Sequence, residues 1–246
     1  MIRTELIAPI GEIVRRHAGE RPDKLAFKDA ATRVPLRLRR LSARRGANHP
    51  RRPAVRKSRV DRFMNQPVNS DPLAQILKAA QFAAHKHRDQ RRKDAAASPY
   101  VNHPIELANV LKLEGGIDDP LVLCAALLHD TIEDTDTTAD ELRAQFGSAV
   151  TSVVLEVSDD QQLPKARRKA LQIEHAPHLS HAAKLVKLAD KICNLRDVVD
   201  HPPAGWPLSR RQEYFDWARQ VIDGLRGAHP GLERIFDETY RKRPVL

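Results

Sequence analysis

The chain has 246 residues, a length that suits one globular domain with room for an extension. Hydrophobic residues make up 41% and aromatic residues only 4%, so an aliphatic core is feasible and an aromatic platform for single-stranded nucleic acid is not expected. No apolar run reaches the roughly 18 residues of a membrane span, and no signal peptide is evident. Because Cys124 and Cys193 both lie in apolar stretches, they are interpreted as core residues of a cytoplasmic protein.

The net charge of +10 comes from one part of the chain. Residues 1–68 contain 18 of the 42 basic residues and 6 of the 32 acidic ones, so this segment carries +12 and the remainder −2. The arginine-rich run at 33–62 has neither a helical nor a strand period, which is typical of disorder. We therefore predict a basic, disordered extension at 1–68, with a nucleic-acid-binding arm as the alternative, and a folded domain at 69–246.

The extension also carries a resemblance of its own. Residues 5–30, ELIAPIGEIVRRHAGERPDKLAFKDA, resemble the opening of an AMP-forming acyl-CoA synthetase, and the resemblance ends at about residue 36. Met64 begins a sequence that would serve as a natural start. We hypothesise that residues 1–63 are a gene-fusion or start-site artefact. Mass spectrometry of the native protein tests this hypothesis, which peptides from residues 1–60 would contradict.

From Asp71 onward the apolar residues recur at helical spacing. Asp71 is predicted to cap a first helix, with Pro72 at its first position. The residues expected on its buried face are Leu73, Ile76, Leu77, Ala80 and Ala84. Residues 89–102 are predicted to form a polar loop, after which Pro104 opens a second helix. The buried face of the second helix is expected to contain Ile105, Ala108 and Leu111.

The remaining pattern is helical as well. The run Asp118-Asp119-Pro120 predicts the start of a third helix, LVLCAALLHD, which is apolar on almost every side and should therefore be buried. Thr138 and Glu141 form a capping box for the next helix. Further helices are predicted at 147–158, 163–175, 180–200, 209–226 and 229–239. Because no segment alternates as a strand does, the predicted fold class is all-α.

The chemical signal is centred on His129 and Asp130, at the end of the buried third helix. An adjacent histidine and aspartate can ligate one metal only where a helix ends and the two side chains converge. Further ligands must then come from elsewhere in the chain. His103 lies just before Pro104, and Asp190 lies on an apolar helical face, where a carboxylate must be paired or metal-bound.

Each of these residues also has a simpler explanation when it is taken alone. His103 could cap a helix, Asp190 could pair with Lys187 or Lys191, and the His–Asp pair could be a helix-end charge pair. Together, however, His103, His129, Asp130 and Asp190 describe a metal site with nitrogen and oxygen ligands. Without a thiolate such a set favours manganese, with iron or zinc possible.

Residues from about 71 to 240 carry seven ordered blocks of a known family. The blocks are AAQFAAHKHRDQRRKD, SPYVNHPIELA, AALLHDTIEDTDTT, FGSAV with EVSDD, LPKARRKALQ, AKLVKLADKICNLRD, and GW with RRQEYFDWA. In these blocks the chain resembles the HD-domain hydrolases of the Rel/SpoT family, in particular the stand-alone small alarmone hydrolases. The resemblance implies an HD-domain helical assembly and a metal-dependent (p)ppGpp 3′-pyrophosphohydrolase.

The resemblance also implies roles for individual residues. It gives the four metal ligands as His103, His129, Asp130 and Asp190. It gives the residues that position and activate water as Glu133 and Asp134. It gives the residues around the nucleotide as Arg92, Lys93, Tyr100, Asn194, Arg210 and Tyr214. Two departures stand out, since Gln161 replaces a lysine and the loop RRKDAAASPY has alanines where relatives have a glycine-containing stretch.

The expected function is therefore manganese-dependent hydrolysis of the guanine nucleotide alarmone (p)ppGpp to GDP or GTP and pyrophosphate. Since the chain ends at residue 246, hydrolysis without a synthetase is expected. One alternative is a phosphatase acting on another 2′- or 3′-phosphorylated nucleotide such as NADPH. The other is a basic-tailed nucleic-acid-binding protein whose HD site is a relic, against which the complete ligand set argues. A truncation lacking residues 1–63 separates these classes, because a hydrolase should stay active without them.

Overall fold

The structure is a computed structural model, which describes residues 71–245. The predicted extension at 1–68, its suggested artefact at 1–63 and its possible nucleic-acid arm lie outside the described residues. The α-helices are α1 (Pro72–Lys86), α2 (Asn102–Asn109), α3 (Pro120–Leu128), α4 (Thr131–Asp134), α5 (Ala139–Val157), α6 (Lys165–His175), α7 (His181–Asp200), α8 (Leu208–Asp223) and α9 (Pro230–Tyr240). No β-strand occurs between residues 71 and 245, so the all-α prediction is confirmed.

The apolar helix α3 lies at the centre of the domain, as its sequence predicts. The Asp119 side chain accepts a hydrogen bond from the backbone N–H of Leu121, and Pro120 occupies the first helical position. Every residue from Val122 to Leu128 is buried, and α3 packs against α1, α2, α5 and α7. Because α3 is buried on all sides, the residues at its end are held in the interior of the domain.

Helix α1 buries a different face from the one that its leucines suggest. Three of the five residues predicted to be buried are exposed, namely Leu73, Leu77 and Ala84. The fully buried residues are instead Ala79, Phe82 and Ala83, with Ile76 and Ala80 packed beside them. Small alanine side chains let α1 approach α3 closely, and the large Phe82 ring fills the remaining space. This prediction was therefore wrong in its choice of face.

Helix α2 also differs from its prediction. It begins at Asn102, so His103 lies inside its first turn and not before the helix. Ile105 is 49% exposed, whereas His103, Pro104 and Leu107 are buried. The helix continues as a π-helix, Val110–Glu114, whose wider turn brings Leu111 into the core. The predicted face of Ile105, Ala108 and Leu111 assumed a regular 3.6-residue turn and was wrong for Ile105.

The capping residue of α5 is confirmed, although its capping box is only half formed. Thr138 Oγ1 accepts a hydrogen bond from the backbone N–H of Glu141 at 3.1 Å. The Glu141 side chain does not return to Thr138 but forms an ion pair with Lys86 on α1. Gly147, with φ of +83°, interrupts α5 at the position where a separate helix is predicted to begin.

The later helices agree with their predicted positions to within a few residues. Helix α7 contacts α2, α3, α5, α8 and α9, so it forms a second buried element beside α3. Between residues 71 and 245, no helix is both long and apolar enough to cross a membrane. Helices α2, α3 and α7 together carry or adjoin the four residues that the sequence predicts as metal ligands.

Substitution of Leu128 by alanine is expected to lower the free energy of unfolding by about 2–5 kcal/mol. Leu128 is the last residue of α3 and is completely buried, so its removal leaves a cavity directly before His129. Urea unfolding followed by circular dichroism measures the change. Leu77→Ala is the matched control, because Leu77 is 60% exposed and its truncation should cost less than about 0.5 kcal/mol. Equal losses in the two variants would contradict the assigned core.

Candidate active site

A pocket of about 1000 Å³ lies between the α1–α2 loop, α4, α6, α7 and α8. Most of the site residues predicted from the sequence line it or lie directly beside it. The lining residues among them are Arg92, Lys93, Tyr100, His103, Glu133, Asp134, Asn194 and Tyr214. The α1–α2 loop and α7 both contribute to this wall, so residues more than 100 positions apart in sequence line one space.

The four predicted metal ligands converge next to the pocket. His103 Nε2 lies 3.3 Å from Asp190 Oδ1 and 3.9 Å from Asp130 Oδ2. His129 Nε2 lies 2.8 Å from Asp130 Oδ2 and 4.0 Å from Asp190 Oδ1. His103, His129 and Asp130 each place a ligand atom within 4.8 Å of the other two, and Asp190 Oδ1 lies within 4.0 Å of both imidazoles. These nitrogen and oxygen donors suit a divalent cation.

The ring of His129 is oriented as a metal ligand requires. Its Nδ1 lies 2.8 Å from the carbonyl oxygen of Ala126, to which it donates, so its Nε2 carries the lone pair. Although Asp130 is near, Nε2 is buried and has no hydrogen-bond partner of suitable geometry. A buried nitrogen acceptor that no donor satisfies is a position that a cation can occupy.

The electrostatics of the cluster also fit a cation. Burial opposes ionisation of Asp190, but the buried Lys191 beside it holds the pKa of Asp190 well below its usual range. Burial lowers the pKa of His129, but Asp130 and Asp190 outweigh this effect and raise the pKa to about 9. The two carboxylates thus favour a positive charge at Nε2 of His129, where a proton and a metal ion compete for the same lone pair. A divalent ion satisfies the same negative charge.

Three side chains orient the carboxylate ligands. Tyr100 donates a hydrogen bond from its hydroxyl to Asp130 Oδ2 at 2.5 Å. Lys191 donates to Asp190 Oδ2 at 2.8 Å, and Asn194 donates to Asp190 Oδ1 at 2.5 Å. Tyr100 and Asn194 are predicted to contact the nucleotide, and both also line the pocket. In the structure their hydrogen bonds go to metal-ligand candidates, so they can orient the ligands as well.

Glu133 lies on α4, one turn after Asp130, and its carboxylate has two hydrogen-bond donors and an ion-pair partner, Arg168, whose Nη1 lies 3.6 Å from Oε1. The backbone N–H of Asp159 donates to Oε2 at 2.9 Å, and the Gln161 side chain donates to Oε1 at 2.6 Å. Burial and the neighbouring carboxylates, among them Asp159, raise the pKa of Glu133 to about 7. Burial and Asp130 raise the pKa of Asp134 as well. A carboxylate with a pKa near neutrality is suited to accept a proton from water.

Backbone hydrogen bonds fix the basic loop between α1 and α2. The N–H of Arg92 donates to the carbonyl of Ser98, and the carbonyl of Lys93 accepts from the N–H of Ala204, both at 2.9 Å. Ala97 adopts a φ of +47°, a conformation that glycine adopts more easily. The loop is therefore anchored to itself and to the segment after α7, with Arg92 and Lys93 facing the pocket.

Aromatic side chains form another part of the wall. The Tyr214 ring lies between two tryptophans, with centroids 5.7 Å from Trp206 and 5.3 Å from Trp217. All three line the pocket, whereas Arg210 does not. The Arg210 guanidinium lies instead over the Trp206 ring at 4.4 Å from its centroid. Arg210, predicted to contact the nucleotide, thus packs on a residue of the pocket wall and does not itself line the pocket.

Three cations on α6 line the pocket but were not assigned from the sequence. They are Lys165, Arg168 and Lys169. Burial and the nearby cations, with Arg210 and Lys93 first among them, lower the pKa of Lys165, which means that like charges gather here. The segment LPKARRKALQ could have predicted this cluster, because positions 165, 168 and 169 fall on one helical face. Such a cluster is suited to bind phosphates.

An all-helical domain in which a His–Asp pair at a helix end meets a further histidine and aspartate defines an HD domain. The family model for the HD domain matches residues 79–215 of this chain. The guanosine-3′,5′-bis(diphosphate) 3′-pyrophosphohydrolase of Homo sapiens is 56% identical over 170 residues, which are 69% of this chain and 95% of the relative. The enzyme of the same name from Drosophila melanogaster is 49% identical, over 71% of this chain and 98% of the relative.

A solved structure supports the same family assignment. It is a metazoan orthologue of SpoT that hydrolyses ppGpp, and it is 48% identical with a TM-score of 0.69. The match covers 72% of this chain and 100% of the solved one. The chain therefore belongs to the HD-domain family, within the group of the stand-alone ppGpp hydrolases.

Proposed function

We propose that this chain is a (p)ppGpp 3′-pyrophosphohydrolase, which converts the guanine nucleotide alarmone to GDP or GTP and pyrophosphate. The observation that carries the proposal is the position of the His103, His129, Asp130 and Asp190 cluster beside a pocket lined by cations. The relatives that the chain covers almost from end to end carry this activity in their names. We propose hydrolysis without synthesis, because these relatives are named for the hydrolase activity and match this chain over nearly their whole length.

Manganese is proposed as the bound ion, with iron or zinc as alternatives. Two imidazoles and two carboxylates without a thiolate are the ligands that favour it. A divalent ion held by these residues supplies a Lewis acid and lowers the pKa of water. The four ligand side chains are buried or nearly so, and their burial would hold the ion in place. His103 also lines the pocket, so the ion would lie next to a bound substrate.

Residues of the chain would supply the general base, position the water and bind the nucleotide. Glu133 is placed to accept the proton of the attacking water, and Asp134 beside it helps to position that water. Lys93 and Lys165 can hold the phosphates, because they are cations of the α1–α2 loop and of α6 that line one pocket. Tyr214, which lines the pocket, is placed to contact the base. Water attacks the phosphorus that is bonded to the 3′ oxygen, and one of its protons passes to Glu133. A new P–O bond forms to the water oxygen, the P–O bond to the 3′ oxygen breaks, the 3′ oxygen takes up a proton to become a hydroxyl, and pyrophosphate is released.

The experiment incubates the purified protein with Mn²⁺ and, separately, ppGpp, pppGpp and NADPH. Ion-exchange chromatography should show GDP or GTP and pyrophosphate in equal amounts. The His103→Ala protein serves as the control for contaminating phosphatases. Phosphate release from NADPH without turnover of either alarmone would contradict the proposal and support the phosphatase alternative. Replacing Mn²⁺ by Fe²⁺ or Zn²⁺ tests the choice of metal.

A cytoplasmic location is proposed from the state of the cysteines. Cys124 and Cys193 are both free and buried in the core. Burial raises the pKa of Cys124 to about 11, so this thiol stays protonated and unreactive. Unpaired core thiols are typical of a reducing compartment.

Substitution of Lys93 or Arg92 by alanine is expected to raise KM for ppGpp more than it lowers kcat. Both side chains would hold phosphates similarly in the ground state and the transition state, and such uniform binding is expressed in KM. The exposed Lys93 should be worth ~0.2–1 kcal/mol and the partly buried Arg92 ~1.5–3 kcal/mol. Steady-state kinetics at fixed ionic strength measures both effects.

Matched controls for these variants lie away from the pocket. Lys242→Ala and Arg234→Ala remove an exposed lysine and an exposed arginine that do not line it. Both should leave KM unchanged. If Lys93→Ala and Arg92→Ala also leave KM unchanged, the basic loop is only a solvated loop. A loss of kcat alone would instead place one residue at the charge that develops during P–O cleavage.

A further inference from the structure

An ion pair in the pocket wall joins the basic loop to α7. Arg92 Nη2 donates a hydrogen bond to Asp197 Oδ2, and both residues line the pocket. The two side chains are 19% and 26% exposed, so the pair is partly shielded from water. The hydrogen bond uses one of the five N–H donors of the guanidinium. Asp197 therefore determines how Arg92 presents its remaining donors and its planar face.

This ion pair is connected to the metal-ligand cluster by two further contacts. The Arg92 guanidinium lies 5.7 Å from the centroid of the Tyr100 ring. Tyr100 in turn donates to Asp130 Oδ2 at 2.5 Å. Asp197 also follows Asp190 by seven residues, two turns along the same face of α7. One rigid helix thus carries both a metal-ligand candidate and the anchor of Arg92.

The charge of Asp197 is unfavourable for binding a polyanion. A pocket that attracts phosphates gains from every uncompensated cation and loses from every carboxylate. Asp197 cancels much of the charge of Arg92, the residue that we propose to contact the nucleotide. An acidic residue at this position is therefore explained by what it does to the geometry of Arg92 and not by attraction.

Glu106 shows that the hydrogen bond, and not the charge alone, distinguishes Asp197. Glu106 also lines the pocket, and burial together with the nearby Asp197 raises its pKa. It is close enough to interact electrostatically with Arg92, but the hydrogen bond of Arg92 goes to Asp197. Glu106 is therefore a matched comparison, a carboxylate in the same wall whose removal changes the charge and leaves the ion pair intact.

We infer that Asp197 is a positioning residue for substrate recognition, which acts by fixing the Arg92 guanidinium in the pocket. The nature of the ligand, a guanine nucleotide with a polyphosphate, rests on the proposed function. If Asp197 acts through Arg92, its substitution should have no effect once Arg92 has been removed. A purely structural role, by contrast, would lower stability to the same extent in both backgrounds.

A double-mutant cycle tests the inference on the full chain. We expect Asp197→Ala to raise KM for ppGpp about tenfold and to change kcat less than about threefold, and we expect no further rise when it is added to Arg92→Ala. Asp197→Asn, which keeps a hydrogen-bond acceptor, should recover most of the wild-type KM. Calorimetric Kd values for GDP, the expected product, should follow the same pattern. Thermal unfolding measures any loss of stability in each variant.

Glu106→Gln serves as the charge control. It should change KM by a small factor, and its coupling to Arg92→Ala should be much weaker than that of Asp197→Ala. If the effects of Asp197→Ala and Arg92→Ala multiply, or if Asp197→Ala leaves KM and the Kd for GDP unchanged, the inference is overturned. Wild-type protein that binds GDP but does not hydrolyse ppGpp contradicts the proposed function alone, because the cycle can still be completed by GDP binding. Wild-type protein that binds neither nucleotide contradicts both.

Discussion

Replacement of Asp190 by alanine is expected to abolish metal binding and hydrolysis. Asp190 supplies one of the two carboxylates of the cluster, with Oδ1 only 3.3 Å from His103 Nε2. Its removal also leaves Lys191, which is 3% exposed, without its ion-pair partner. Breaking a buried pair in this way typically costs about 3–5 kcal/mol of stability. Loss of metal in this variant alone could therefore reflect partial unfolding.

Two further variants separate ligation from folding. Asp190→Asn keeps the size of the side chain and a hydrogen-bond acceptor but removes the charge that a cation needs. His103→Ala removes a ligand whose side chain is only 2% exposed, without leaving a lysine unpaired. Both proteins should retain helical circular dichroism while elemental analysis detects no stoichiometric metal. A full complement of metal in any folded variant would exclude that residue from the site.

The end of α3 shows what the sequence could predict. Residues 121–128 are apolar on every side, which predicts a buried helix, and the polar residues after Leu128 mark its end. A helix end in the interior is a place where His129 and Asp130 can turn towards one point. Local composition therefore sufficed to predict both the central helix and one half of the ligand cluster.

The face of α1 shows what local composition could not predict. Two stripes of apolar residues have helical spacing, one rich in leucine and one containing Ala79 and Ala83. Hydrophobicity favours the leucines, but close packing against α3 favours the alanines, and packing determines the result. The choice depends on the shape of a neighbouring helix about 40 residues away, which no local pattern contains.

The pocket wall was only partly predictable for a related reason. Helix α6 buries none of its residues, so its hydrophobic pattern gives no sign that it borders a site. Lys165 and Lys169 line the pocket because α6 packs against α8. Arg210, on α8 itself, instead stacks on Trp206. Which cations face a ligand depends on how helices pack together, whereas the metal ligands follow from residue chemistry.

Substitution of Glu133 by glutamine is expected to keep the metal and lose most of the turnover. Glu133 is not one of the four ligand candidates, and glutamine is nearly isosteric with it. The carboxylate accepts hydrogen bonds from the Asp159 N–H and from Gln161, and the glutamine oxygen can retain only one of them without rotation. The amide cannot accept a proton from water, however, and a general base typically contributes about 10²–10⁴-fold to the rate.

The pH dependence of kcat gives a second readout of the same group. Because burial and the nearby carboxylates raise the pKa of Glu133 to about 7, the ionised base should become available as the pH rises through this region. A bound cation favours the ionised form, so the acidic limb should lie at about pH 7 or below. The Glu133→Gln protein should lack this limb. Asp160→Asn, an exposed aspartate changed to its isostere, should retain both the acidic limb and a near wild-type kcat.

A loss of kcat of less than about tenfold in Glu133→Gln, equivalent to ~1.4 kcal/mol, would reduce Glu133 to a structural role.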